Sequence, residues 1–171
     1  QRNPLLVRIK KNEHHSFFRL KPSVLNRNIQ DEVIDIIERN WFEVISKKEL
    51  VLDDKDIDYL YKEEYEKLIP ILWEENSKKA LEISHKLYKN KNIILIFVKN
   101  ENAIEKADKI KWNTFWPLKC NIDTIRYIFR DKNFDDFKMP EWKIVEVPTD
   151  NIVHTPKTVE EFVKVALKWM E

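Results

Sequence analysis

The 171-residue chain contains no glycine. Ordinary usage would place about 12 in a chain of this length. The absence excludes the GxGxxG and GxxxxGK(S/T) phosphate loops, which need glycine for close backbone approach. It excludes a GxSxG nucleophile elbow as well. Helix ends and tight turns, where glycine supplies left-handed backbone, are expected to use Asn, Asp or Pro. The single cysteine, Cys120, allows neither an internal disulfide nor a Cys-based zinc site, and it fits a reducing compartment. No apolar run nears the roughly 18 residues of a membrane-spanning helix; the longest, Ile93 to Val98, is strand-sized. Excess charge of one sign is missing too: 31 basic residues face 30 acidic ones, net +1. The balance argues against nucleic-acid binding through bulk charge, which leaves only a local basic patch for it, and nucleic acid is an unexpected partner. The amino end carries no signal-like apolar stretch, and Gln1 stands where an initiator Met would. We expect a processed or excised chain that works inside the cell, in the cytoplasm or an organelle.

What is present suffices for one domain with a real core: 43% hydrophobic and 12% aromatic residues. Residues 1 to 15 are polar and basic, with His14 and His15, and read as a solvated arm ahead of a domain spanning 16 to 171. Ser16 to Leu20 is a short strand stopped by Pro22. Asn28 to Asn40 has Ile29, Val33, Ile36 and Ile37 at helical spacing, with Asn28 as the expected N-cap. Phe42 to Leu52 is a second strand. Asp53 opens a helix with acidic residues in its first turn, which Pro70 ends or bends. A further helical stretch covers Ser77 to Leu87. Ile93 to Val98, continuously apolar, is a central strand covered on both faces. Asn102 to Lys111 is a short helix, Trp112 to Asp123 an irregular loop, and Thr124 to Phe129 another short helix. A strand is expected at Lys143 to Val147 and another at Asn151 to His154. Thr158 and Glu161 form a capping box for the final helix, Thr158 to Met170. This order predicts an α+β fold of ferredoxin-like (βαββαβ) type, an antiparallel sheet with helices on its faces. An RNA-binding version would need aromatics alternating on an exposed strand, and Phe17 and Phe18 are adjacent.

Three segments, in order, resemble the nucleoside diphosphate kinase family: FFRLKPSVLNRNIQDEVIDIIERNWF from Phe17, the stretch from Ile93 through DTIR at Arg126, and NIVHTPKTVEEFVKVALKWM from Asn151. Together they cover most of 16 to 170, with insertions near 65–90 and 130–147. The resemblance implies transfer of the γ-phosphoryl of a nucleoside triphosphate to a histidine and then to a nucleoside diphosphate. On that reading His154 is the nucleophile. Lys21 and Asn151 hold the nucleotide sugar, with Lys21 also near the transferring phosphate. Thr114 and Arg126 hold the β-phosphate, and Tyr61 matches the tyrosine that supports the histidine ring. Mg2+ arrives with the nucleotide and needs few protein ligands. Homo-oligomers are common in the family.

The sequence also departs from the family pattern. Gly-Ser-Asp after the histidine becomes Thr155, Pro156 and Lys157. The second phosphate-binding arginine falls near Asp108, with Lys109 one place away, Ser23 replaces an aspartate, and Pro148, Thr149 and Asp150 lead into Asn151. The acidic residue that orients the histidine falls near Val165, which is apolar. Two functions follow. One is a divergent nucleoside diphosphate kinase. The other is a catalytically degenerate domain serving as a structural or interaction subunit of a larger assembly, with Phe134, Phe137 and Trp142 as partner anchors.

Overall fold

The structure, a computed structural model, describes residues 14–111, 121–130 and 152–170. The segments 112–120 and 131–151, which include Thr114, Asn151, most of the insertion expected near 130–147 and the strand expected at 143–147, lie outside the described residues.

Four strands form one antiparallel sheet: β1 (His15–Leu20), β2 (Glu43–Val51), β3 (Asn92–Lys99) and β4 (Val153–His154), in the order β2-β3-β1-β4. That is the expected ferredoxin-like arrangement. The apolar run Ile93–Val98 lies between β2 and β1 and is buried throughout. Alternation then sorts the side chains. Phe18, Leu20, Ile94, Ile96 and Val98 face one core, closed by Val33 and Ile37 of α2 (Gln30–Arg39) and by Ala103 and Ala107 of α5 (Ala103–Lys111). Phe17, Leu95 and Phe97 face the other, closed by Ile57 and Leu60 of α3 (Asp54–Lys67), Tyr88 of α4 (Ile69–Tyr88) and Phe162 of α7 (Val159–Trp169). Two short helices, α1 (Pro22–Asn26) and α6 (Ile125–Ile128), complete the set among the described residues.

Local details correct several expectations. His15 is not part of an arm: it is the first residue of β1, opposite Lys99, and stacks on Phe162. Asn28 does not cap α2. It takes φ 55° and closes α1, with its own N–H on Leu25 O and the Ile29 N–H on Val24 O, a Schellman-type ending with Asn in the glycine position. Helix α2 begins at Gln30 with Ile29 as a cap that has no side-chain bond. Helix α3 stops at Lys67, ahead of Pro70; the proline sits in the first turn of α4, where its missing N–H is harmless. The helical stretch expected from Ser77 extends back to Ile69 and is broken at Trp73, whose φ 65° and ψ 157° are far from helical. Asn90 and Asn102 also take positive φ, as a glycine-free chain requires, but so do Trp41, Trp73 and Ile152.

Candidate active site

The site is built on one face of the β1–β4 pair. β4 places His154 directly opposite Arg19, and Leu20 opposite Val153. Directly paired residues share a face, so His154 and Arg19 point to the side covered by α3 and α7, as do Phe17 and Lys21 by alternation. The Lys21 N–H donates to Ile152 O at 2.9 Å, which ties the end of β1 to the entry of β4. Ile152 itself takes φ 81°. For a β-branched residue this is a sterically costly conformation, of the kind that surroundings hold in place around functional positions.

His154 Nε2 lies 3.0 Å from Glu161 Oε1. The other carboxylate oxygen, Oε2, accepts the Lys157 N–H at 3.1 Å. Thr158 Oγ1 accepts the Glu161 N–H, so only half of the expected capping box forms; the glutamate side chain turns away to the histidine. This corrects the expectation that an orienting acid is lost. Val165 is buried among apolar residues, and Glu161, one turn earlier on α7, takes the histidine instead.

Burial drives the His154 pKa down to about 3; Glu161 opposes that shift, and Arg19 and Lys111 add to it. Burial alone would raise the Glu161 pKa, but His154, Arg19 and the Lys157 N–H hold it well below the usual carboxylate range. Near neutral pH the ring is therefore neutral and the carboxylate ionised. An ionised carboxylate only accepts, so the ring proton sits on Nε2 and Nδ1 carries the lone pair. His154 is partly exposed. The arrangement suits a nucleophilic or basic Nδ1.

Four buried cations lie at this end of the sheet, Arg19, Lys21, Lys111 and Arg126, and of these Arg19 and Lys111 act directly on the His154 ring. Arg126, on α6, donates from Nη2 to Val153 O at 3.0 Å, which fixes its guanidinium beside the strand that carries His154. Lys111 closes α5, 1% exposed, with Nζ 3.0 Å from Asp108 Oδ1. Burial and Arg126 lower its pKa to about 8, with Asp108 opposing and Lys157 adding a smaller push. Asp108, one turn before it, is thus salt-bridged to a lysine. Tyr61, on α3, receives a short hydrogen bond from Arg19 Nη2, and its ring lies 5.2 Å from the Arg19 guanidinium carbon. It stacks with Tyr65 and Tyr88 at 6.0 and 5.6 Å.

Of the residues singled out by sequence, His154, Lys21, Arg126 and Tyr61 are all placed at or against this end of the sheet, with Tyr61 reaching it through Arg19. Thr114 and Asn151 lie outside the described residues. Sequence reasoning missed Arg19, Lys111 and Glu161. The first was detectable: a charged residue between Phe18 and Leu20 shares a face with Lys21. Among the described residues no group of three His, Cys, Asp or Glu side chains is placed to hold a metal ion. Among the described residues Glu161 is engaged by His154 and Asp108 by Lys111, while the buried cations suit an ion that would arrive on phosphate oxygens. No helix among the described residues is long and apolar enough to cross a membrane.

Comparison with known proteins gives a family model described as nucleoside diphosphate kinase, matching residues 14–170. Solved structures agree in fold. A transition-state mimic of the nucleoside-diphosphate kinase from Borrelia burgdorferi, with bound vanadate and ADP, superposes with a TM-score of 0.71 at 17% identity, covering 92% of this chain and 86% of that one. An NDP kinase from Pyrobaculum aerophilum gives 0.68 at 15% identity, covering 92% and 96%. The nucleoside diphosphate kinase of Encephalitozoon cuniculi, in its apo form, gives 0.65 at 15%, covering 92% and 88%. No curated protein sequence matches.

Proposed function

Because this chain belongs to the nucleoside diphosphate kinase family, we propose that it transfers the γ-phosphoryl of a nucleoside triphosphate to His154 and from there to a nucleoside diphosphate. The observation that carries the reading is the His154–Glu161 pair. It sets a neutral imidazole, with its proton on Nε2 and its lone pair on Nδ1, within the field of the buried cations Arg19 and Lys111. In the forward half-reaction Nδ1 attacks the γ-phosphorus. The bond to the β–γ bridging oxygen breaks, the diphosphate leaves with the electron pair, and Glu161 balances the charge the ring acquires. Phosphoryl transfer depends mainly on positioning and charge stabilisation, and Lys21, Arg126 and Lys111 supply the positive charge. Lys111, salt-bridged to Asp108, supplies a buried cation close to where the resemblance loses its second arginine. Magnesium carried in with the nucleotide would supply further charge neutralisation, and Lys21, Lys111 and Arg126 would hold the phosphates that bring it. The vanadate and ADP held by the Borrelia protein are the ligands such a site would take.

The second reading, a degenerate domain acting as an interaction subunit, draws on Trp41 and Trp73, 88% and 73% exposed. Incubation with γ-labelled ATP separates the two. The kinase reading expects acid-labile, alkali-stable label on the wild type and none on His154→Ala. An unlabelled wild type, or a variant labelled equally, leaves only the interaction reading.

A further inference from the structure

Arg19 is charged, 4% exposed, and sits next to the end of a strand whose other buried side chains are mostly apolar. Its Nη2 donates to the Tyr61 hydroxyl. Its Nε, also buried, has no hydrogen-bond partner. A buried donor left unsatisfied is expensive, more so on a charged group. Such a group in a native fold calls for an explanation, and here its position supplies one. Arg19 is the direct cross-strand neighbour of His154, on the same face. With His154 Nε2 taken by Glu161, a phosphoryl group can be attached only at Nδ1.

We propose that Arg19 is a phosphoryl-contacting residue, whose Nε–H donates to an oxygen of the phosphoryl group carried on His154 while Nη2 remains anchored to Tyr61. The proposal deepens the reading of His154 as a phosphoryl acceptor and rests on it, but it does not depend on which donor supplies the group. The guanidinium is held from one side by Tyr61 and from its backbone by the β1–β4 pairing, so little reorganisation is needed when charge arrives, which is the condition under which a donor stabilises a transition state best. Neither Ser16 nor Thr155, the other buried side chains with unsatisfied hydroxyls near the ends of these strands, carries a charge to offer.

The test uses phosphoramidate, a small phosphoryl donor that needs no nucleotide site. His154 Nδ1 attacks its phosphorus, the P–N bond breaks, and ammonia leaves with the electron pair while Nε2 keeps its proton toward Glu161. Phosphorus-31 spectra give the rate of phosphohistidine formation in wild type, Arg19→Lys and Arg19→Met. Loss of one preorganised donor is expected to slow formation by about 100-fold in Arg19→Met, with Arg19→Lys intermediate. A second measurement needs no variant to fold well. In nitrogen-15 arginine-labelled wild type, the buried Nε–H resonance is expected to shift on phosphorylation of His154. Rates within about twofold of wild type in both variants, an Nε–H resonance that does not move, or a wild type that phosphoramidate does not phosphorylate at His154 would each overturn the proposal. Phosphorylation by phosphoramidate that depends on Arg19, with none by ATP, leaves the Arg19 assignment standing and sinks the nucleotide reading.

Discussion

Lys111 shows how one side chain can serve the site at the fold's expense. It is 1% exposed and its pKa falls from 10.5 to about 8, burial first and Arg126 second, in spite of Asp108. The folded pKa lies below the unfolded one. Between about pH 8 and 10.5 the unfolded chain therefore binds more protons, and stability rises with pH across that window. Below pH 8 the charged lysine is a standing penalty. Lys111→Met is expected to raise stability by about 2 kcal/mol at pH 7, read as the midpoint of a urea titration, with the gain shrinking above pH 8. The same variant is expected to bind ADP about 10-fold more weakly, because a cation beside Arg126 is gone. Titration calorimetry at pH 7 checks this; unchanged affinity would remove Lys111 from the phosphate site. Wild-type affinity should itself weaken as pH rises through 8.

At the scale of elements, the lack of glycine is felt most where helices end. Trp41 follows α2 at φ 68° with its ring almost wholly in solvent. The residue gains little packing in return for its strained backbone. Trp41→Gly is expected to stabilise the protein by about 1 kcal/mol, part of the strain relief being offset by the greater freedom of glycine in the unfolded chain. For a domain of this size that is a rise of about 3 °C in Tm, measurable by differential scanning calorimetry; a fall would mean that Trp41 packs on something. Legibility from sequence divided along the same lines. The order of strands and helices, and the places of His154, Lys21 and Arg126, could be read because segment patterns and motif spacing carry them. Glu161 could not be assigned. Three residues after Thr158 it satisfies the spacing of a capping box, and the same spacing leaves its carboxylate within reach of the ring that ends β4. Only the path of the chain between His154 and α7 decides between the two. Lys111 was hidden for a similar reason: a lysine in the last turn of a helix ordinarily complements the helix dipole in solvent.

For the molecule as a whole, the site sets the response to acid. Burial depresses the His154 pKa from 6.5 to about 3, and Glu161 is held below its usual 4.5. Both folded values lie below the unfolded ones. The unfolded state therefore takes up protons first as pH falls, and stability is lost below pH 6.5 through His154 and below 4.5 through Glu161. Thermal unfolding between pH 7 and 4 is expected to show a falling midpoint in the wild type and a flatter profile in His154→Asn down to about pH 5. Equal slopes would mean that His154 is not desolvated. If His154 is the phosphoryl acceptor proposed above, its ionisation should not limit activity at pH 6.5, where a free imidazole would be half protonated.

The tyrosine stack bears on how such a chain could change its length. Tyr65 and Tyr88 stand near the two ends of the stretch that reads as an insertion, and both stack on the same ring, Tyr61. The chain thus leaves and returns at a single point, and what lies between, the end of α3 and nearly all of α4, is a closed excursion. Segments whose ends meet can be shortened, extended or exchanged with little effect elsewhere. The contact from Tyr61 to Arg19, and so to the strand carrying His154, stays outside the excursion. A change in the length of this helical hairpin would therefore leave the contact to the histidine's strand in place.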